Sequence, residues 1–332
     1  MNPKLIQISI SLLLMCLCGS YSNEKKNNNG FMITESNRLL SELENDEVGV
    51  VHEDQSNYEV LVRDKNGKPV DKNNLKNNIK IVFIDLDGTL LNDHHKASKL
   101  NIESLVKAQN KGIKVVFATG RPIFSANSAI GEDVKKNNLS LIPAIYLNGA
   151  ITYGPNGDRI IDNYMDEKLI MDIYNFSKEN NFVHCIALYS LEKIHTFEIN
   201  EYIDEEILKN TKIYNIAIIF DEQNLSSVLK LYQDKFSGRI SVAKKYKTCI
   251  ELFHRNTNKF EGVKALCNHF DINLNDALAI GDAKNDTEML QGVGTSIAVQ
   301  NAPSKIKECA KYVGPSNNDD AVHHILRTFC DI

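Results

Sequence analysis

Asp85 and Asp87 stand two residues apart at the end of the apolar run Ile81-Val82-Phe83-Ile84, and Gly88 and Thr89 follow them. Two carboxylates so close repel each other and cost stability. A divalent cation removes that cost, because it takes oxygen ligands and cancels the repulsion. Asp-X-Asp-Gly is also an ordinary turn, so the pair takes its meaning from the rest of the chain. A second acidic pair, Asp282 and Asp286, follows the run Ala277 to Ile280, with Asn285 between them. Thr119 and Gly120 close a third run, Ile113 to Ala118, just before Pro122. Backbone N–H groups and a hydroxyl where a strand meets a helix suit a phosphate, although a threonine there also serves as a plain helix cap. Lys259 stands at the start of a helical segment, where the helix dipole disfavours a cation unless an anion or solvent compensates it. Taken together, the carboxylates can hold Mg²⁺. Thr119, the amides near it and Lys259 can hold phosphoryl oxygens, and an aspartate is left to attack phosphorus. A carboxylate nucleophile forming an aspartyl-phosphate is an established strategy.

These residues need a scaffold that brings distant segments to one place. Ile81 to Ile84 reads as a strand buried on both faces of a parallel sheet. Ser98 to Lys111 has helical spacing at Ile102, Leu105 and Val106, and Gly112 is a natural stop. Ile113 to Ala118 is the next strand, Pro122 opens a helix, and Pro143 to Leu147 is a third strand ending at Asn148-Gly149. Such alternation with short links predicts a parallel sheet with right-handed crossovers, whose strand ends share the edge where ligands sit. From about Gly154 to Asn256 the texture changes. Strands are expected at Phe182 to Tyr189, Ile194 to Ile199, Ile213 to Phe220, Ile240 to Val242 and Thr248 to Phe253, and helices at Asp166 to Asn180, Tyr202 to Lys209 and Asn224 to Phe236. The parallel pattern then resumes with a helix over Phe260 to Phe270, strands at Ala277 to Ile280 and Ser296 to Val299, and a last edge strand at Tyr312-Val313. The expected class is α/β: a Rossmann-like parallel-sheet core (79–153 and 257–332) with an inserted α+β cap domain (154–256).

The chain has 332 residues, 42% hydrophobic and 24% charged, an ordinary globular composition with room for roughly two domains. A net charge of −5 supplies no basic field for nucleic acid. Residues 1–20 read as a secretory signal peptide: Lys4, an apolar run from Leu5 to Cys18, then Gly19 and Ser20. The run is short for a membrane anchor, so a secreted or lumenal protein without a membrane span is expected after cleavage. Five of the seven cysteines lie outside this leader, at spacings that match neither zinc nor disulfide patterns, and read as buried thiols. Residues 21–78 are polar, include Asn27-Asn28-Asn29, and are expected to be largely disordered. A short helix is expected near Ser36 to Leu43, and Asn66-Gly67 is a hairpin signal.

In order and spacing, these pieces resemble the haloacid dehalogenase (HAD) superfamily, and within it the Cof-type phosphatases with a type IIB cap. The matching motifs are FIDLDGTLL at 83–91, ATGRP at 118–122, LNGA at 147–150, Lys259 before a helix, IGDAKNDTEML at 280–290 and AVQNAP at 298–303. The resemblance covers about Ile79 to Ile332. It implies that Asp85 is the nucleophile, and that Asp87 protonates the leaving oxygen and then activates water. It also implies that Asp85, the backbone carbonyl of Asp87 and Asp282 bind Mg²⁺. Thr119 and Gly120 would contact the phosphoryl group, Lys259 would neutralise it, Asn285 would reach phosphate or substrate, and Asp286 would orient Lys259 or a metal-bound water. One departure stands out: the family usually has glycine after the lysine, and here Phe260 could alter substrate fit. Asn148 suits either a turn or the site wall.

Other conspicuous residues have plainer readings. His94-His95 and His323-His324 are adjacent pairs without metal spacing and are expected at the surface. Asp204-Glu205-Glu206 reads as a solvated helix face, and Tyr189, His195 and Glu198 are unranked candidates for touching a leaving group.

The implied activity is a Mg²⁺-dependent phosphatase acting on a small-molecule phosphate ester, sugar phosphates foremost. A phosphomutase or phosphotransferase could use the same intermediate, and product analysis separates the two. A non-catalytic exported binding protein is the third reading, disfavoured by the intact Asp85, Asp87, Asp282 and Asp286.

Overall fold

The computed structural model describes residues 61–75, 78–196 and 210–332. The expected leader, the polar spacer to residue 57 with its short helix, and the expected helix over Tyr202 to Lys209 lie outside the described residues. In chain order the elements are β1 (Arg63–Asp64), β2 (Ile81–Ile84), α1 (Lys99–Asn110), β3 (Lys114–Ala118), α2 (Ile123–Lys136), β4 (Ala144–Tyr146), β5 (Ile151–Tyr153), β6 (Arg159–Asp162), α3 (Glu167–Glu179), β7 (Ile186–Tyr189), β8 (Ile194–Thr196) and β9 (Asn215–Ile219). They continue with α4 (Glu222–Lys235), β10 (Ile240–Tyr246), β11 (Cys249–His254), α5 (Lys259–His269), β12 (Ala277–Gly281), α6 (Thr287–Gly292), β13 (Thr295–Ala298), α7 (Ser304–Cys309), β14 (Tyr312–Val313) and α8 (Ala321–Phe329).

The larger sheet has nine strands in the order β1-β14-β13-β12-β2-β3-β4-β5-β6. Its centre is parallel, from β14 through β4. β2 lies in the middle and all four of its side chains are fully buried, as an unbroken apolar strand with helices over both faces must be. Helices start where side chains can cap them: Ser98, Asp166, Asp221 and Asn258 each accept a bond from a first-turn amide, worth about 1 kcal/mol apiece.

Two findings modify the expected outline. Tyr312-Val313 is not the edge of the sheet, because Arg63-Asp64 pairs antiparallel outside it. The chain then turns at Gly67, with φ +76, and folds back so that Val70 donates to the carbonyl of Val62. The hairpin signal at Asn66-Gly67 is thus met, inside a segment expected to be largely disordered. At the opposite edge, β5 and β6 extend the sheet antiparallel as far as Asp162, past the expected border near Gly154 to Gly157.

A second, five-stranded antiparallel sheet has the order β10-β11-β9-β7-β8. The register puts Ile186, Leu188, Ile216, Ile218, Ile250 and Leu252 on one face. The other face carries Tyr189, Asn215 and Glu251. Helices α3 and α4 are joined to each other by a 2.6 Å hydrogen bond between Ser177 and Tyr232. All five described cysteines are free thiols. No described helix is long and apolar enough to cross a membrane.

Candidate active site

Because the central strands are parallel, the loops after β2, β3, β4 and β12 leave from one edge of the sheet. The loop after β2 carries Asp85 and Asp87, the loop after β12 carries Asp282 to Asp286, and the β3–α2 junction carries Thr119 and Gly120. Lys259, the first residue of α5, reaches in from the fourth side. Its ammonium donates to Asp85 Oδ1 at 2.5 Å and to Asp286 Oδ1 at 2.7 Å, and its side chain is wholly buried. The other oxygen of Asp286 accepts the backbone N–H groups of Asp282 and Ala283, at 3.1 and 3.0 Å. Asp286 thus ties the β12 loop to Lys259.

Asp85, Asp282 and Asp286 each present a carboxylate oxygen within 4.8 Å of the others. With all three ionised, Lys259 alone leaves two negative charges uncompensated in a buried place. A divalent cation matches that deficit, and an all-oxygen donor set suits Mg²⁺. Titration follows the same physics. Burial raises Asp85 well above the usual carboxylate range, with Lys259 pulling down and Asp286, Asp282 and Asp87 adding to the rise. Burial first, and then Asp286, lift Asp282 to about 6. Burial disfavours the charge on Lys259, but Asp286 and Asp85 outweigh it and keep the ammonium protonated.

The side chain of Asp87 takes another direction. Arg121 grips it with two bonds, Nε to Oδ2 at 2.7 Å and Nη2 to Oδ1 at 2.5 Å, and His95 Nδ1 lies 3.7 Å from Oδ1. Arg121 is buried while the Asp87 side chain is 45% exposed, so Asp87 stays open to a reactant. Its burial would raise the pKa, but Arg121 and His95 more than reverse this and hold it well below the usual range. The side chain of Asp87 is not in this cluster; the resemblance assigns its backbone carbonyl, not its carboxylate, to the metal. Asp286 joins the cluster and also pairs with Lys259, the neighbour it is expected to orient.

The remaining wall is built closely. Thr119 is fully buried, and its hydroxyl accepts the Arg121 N–H at 3.1 Å. Asn285 Nδ2 donates to Asn148 Oδ1 at 2.8 Å. Asn148 has φ +57, so it fills the turn and the wall together. A Cβ on Gly120 would come within 3.0 Å of the Asn148 amide, and one on Gly88 would come within 2.5 Å of Asp282 Oδ2. Thr89 donates to Asp282 Oδ1 at 3.2 Å.

Three sequence expectations change here. Phe260 lies against Gly292, where a methyl group would overlap its ring, so it packs between α5 and α6. His323 is not a plain surface residue: its Nδ1 is 2.7 Å from Ser104 Oγ. Tyr189 and His195 sit on opposite faces of the second sheet, because His195 pairs with Leu188 and Tyr189 with Ile194; Glu198 lies outside the described residues. Arg121 went unassigned from sequence, although it stands inside the quoted ATGRP motif. Asn215 and Glu251, joined at 2.8 Å and both buried, had no sequence signal beyond being polar in apolar strands.

A family model described as haloacid dehalogenase-like hydrolase matches residues 82–326. The chain is 29% identical over 264 residues to a chloroplastic endoribonuclease YBEY of Arabidopsis thaliana, covering 73% of this chain but only 45% of that protein's length. It is 26% identical to the 5-amino-6-(5-phospho-D-ribitylamino)uracil phosphatase YcsE of Bacillus subtilis, covering 75% of this chain and 95% of that one. Among solved structures, a HAD/COF-like hydrolase from Plasmodium vivax superimposes with a TM-score of 0.71 at 28% identity, covering 77% of this chain and 97% of that one.

Proposed function

The chain belongs to the haloacid dehalogenase-like hydrolases, and from that premise we propose a Mg²⁺-dependent phosphatase of small phosphorylated metabolites, sugar phosphates foremost, working through an aspartyl-phosphate on Asp85. The observation that carries the reading is the buried Lys259 ammonium bridging Asp85 and Asp286 within a group of three carboxylates. An ammonium and a carboxylate nucleophile side by side suit an anionic phosphoryl group: one neutralises its oxygens, the other meets its phosphorus.

In the first step an Asp85 oxygen forms a bond to phosphorus and the ester P–O bond breaks. Asp87 gives a proton to the departing alkoxide, a proton it must first take up against the pull of Arg121 and His95. In the second step water attacks phosphorus, Asp87 takes the water's proton, and the bond to Asp85 breaks to release phosphate. Asp85, Asp282 and the backbone carbonyl of Asp87 would hold Mg²⁺, with Asp286 beside them, and the ion would supply Lewis-acid stabilisation of the phosphoryl charge. Arg121 and His95 favour the ionised form of Asp87, the form needed in the second step. Lys259 holds Asp85 in place and pairs with the phosphoryl charge as it spreads.

The segment from 163 to 256 is proposed as the cap. The phosphorylated sugar-alcohol chain in the name of the YcsE substrate supports a hydroxyl-rich substrate. So does the buried polar pair Asn215 and Glu251 of the second sheet, whose amide and carboxylate suit hydroxyl groups. Export through the leader at residues 1–20 belongs to the same proposal.

The test is phosphate release from a panel of phosphorylated sugars with Mg²⁺. Asp85→Asn, which keeps size and loses the nucleophile, is expected to abolish release while circular dichroism stays unchanged. Undiminished turnover in that variant refutes the mechanism. Transfer of phosphate to a second hydroxyl instead of water would make the protein a phosphotransferase.

A further inference from the structure

The loop after β2 must hold Asp87 and Gly88 steady, yet it is anchored by more than its own turns. Two other loops reach across to it. Asn301, from the β13–α7 loop, donates its Nδ2 to the carbonyl of Gly88 at 2.8 Å. Asn317, from the β14–α8 loop, donates its Nδ2 to the carbonyl of Leu91 at 3.0 Å and to Asp93 Oδ1 at 3.1 Å. The two asparagines are linked, because the backbone N–H of Asn317 donates to Asn301 Oδ1 at 3.0 Å. Asn318 completes the grip: its Nδ2 donates to Asp93 Oδ2 at 2.7 Å, and its Oδ1 accepts the Asp93 N–H at 3.1 Å. Asn317 is only 4% exposed.

We propose that Asn301 and Asn317 are positioning residues for Asp87, an amide clamp that sets the conformation of the Gly88–Asp93 loop and hence the direction from which Asp87 meets the leaving oxygen. Gly88 is the pivot. It has φ +74, and its carbonyl is pinned by Asn301, so the Gly88–Thr89 peptide is fixed and the chain leaving Asp87 has one direction to follow. Arg121 holds the Asp87 carboxylate, and the clamp holds the loop that follows it, at Gly88, Leu91 and Asp93. Burial makes the clamp firm, since a buried amide that loses its acceptor carries the full desolvation penalty. Proton transfer needs a hydrogen-bond geometry that small displacements spoil.

The inference rests on the phosphatase reading, and the experiment separates the two. It measures kcat/KM, which reports the steps up to aspartyl-phosphate formation, on two esters with Mg²⁺. The leaving group of p-nitrophenyl phosphate departs without a proton; the alkoxide of glycerol phosphate needs one. Asn317→Ala and Asn301→Ala are expected to lose about tenfold more on glycerol phosphate than on p-nitrophenyl phosphate, a part of the ~100-fold or more that general acid catalysis supplies. Equal losses on both esters, or none on either, overturn the clamp and leave the phosphatase reading standing. Wild-type protein that cleaves neither ester overturns the phosphatase reading and the clamp with it. If Asn317→Ala does not fold, Asn301→Ala, at an exposed residue, decides the matter alone.

Discussion

Asp282 titrates near 6 because burial, and then Asp286, disfavour its charge. The folded value lies above the unfolded value of about 3.9. The group's contribution to stability is therefore fully present below that lower value and is lost as pH rises through 6. A cation binds only the ionised carboxylate, so Mg²⁺ is expected to raise the melting temperature more at pH 7.5 than at pH 5. Thermal melts at the two pH values check this, and Asp282→Asn should erase the difference. Arg121 offers the opposite sign. It depresses the pKa of Asp87, so Arg121→Ala raises that pKa and keeps the acid form to higher pH. The alkaline limb of kcat/KM for an alkyl phosphate should move upward in pH, as a pH–rate profile would record. The acids were legible in sequence because each closes an apolar run. The pairing of Arg121 was not: its partner stands in the loop of another strand, and nothing near position 121 names it.

Elements meet here through glycines that leave no room for more. Gly88 combines φ +74 with the approach of Asp282. Gly88→Ala should cost about 1–2 kcal/mol from its left-handed backbone alone, and it should push the Asp282 carboxylate aside, which a Mg²⁺ titration by calorimetry would register as weakened binding. The α5–α6 contact has a different outcome. Phe260 packs on Gly292, so Phe260→Ala should lower stability by less than the ~3–5 kcal/mol of a fully buried ring and leave the ranking of substrates unchanged. A substrate panel and a denaturant melt together check both halves. Sequence spacing located α5, whose first turn is marked by Lys259. It could not say which way Phe260 points, because that is decided by a glycine on a neighbouring helix.

At the scale of the whole molecule, the parallel core was legible because short links force consecutive strands to lie side by side. β1 was not, since its pairing with β14 joins residues from opposite ends of the chain and two residues carry no periodicity. Removing residues 61–77 should bare the Tyr312-Val313 backbone and uncover Val62's buried neighbours, producing concentration-dependent association by light scattering. The large sheet and the second sheet are joined by two covalent crossings, and the returning one ends at Asn258, whose carbonyl closes against Gly149 with no space for a methyl group. Asn258 also caps α5, so the residue next to Lys259 is seated by the large sheet's own loop. A foreign segment grafted between Asp162 and Asn258 would inherit an ammonium already in register with its two carboxylates, which makes this junction the natural seam for building chimeras that exchange the proposed cap and keep the carboxylate cluster.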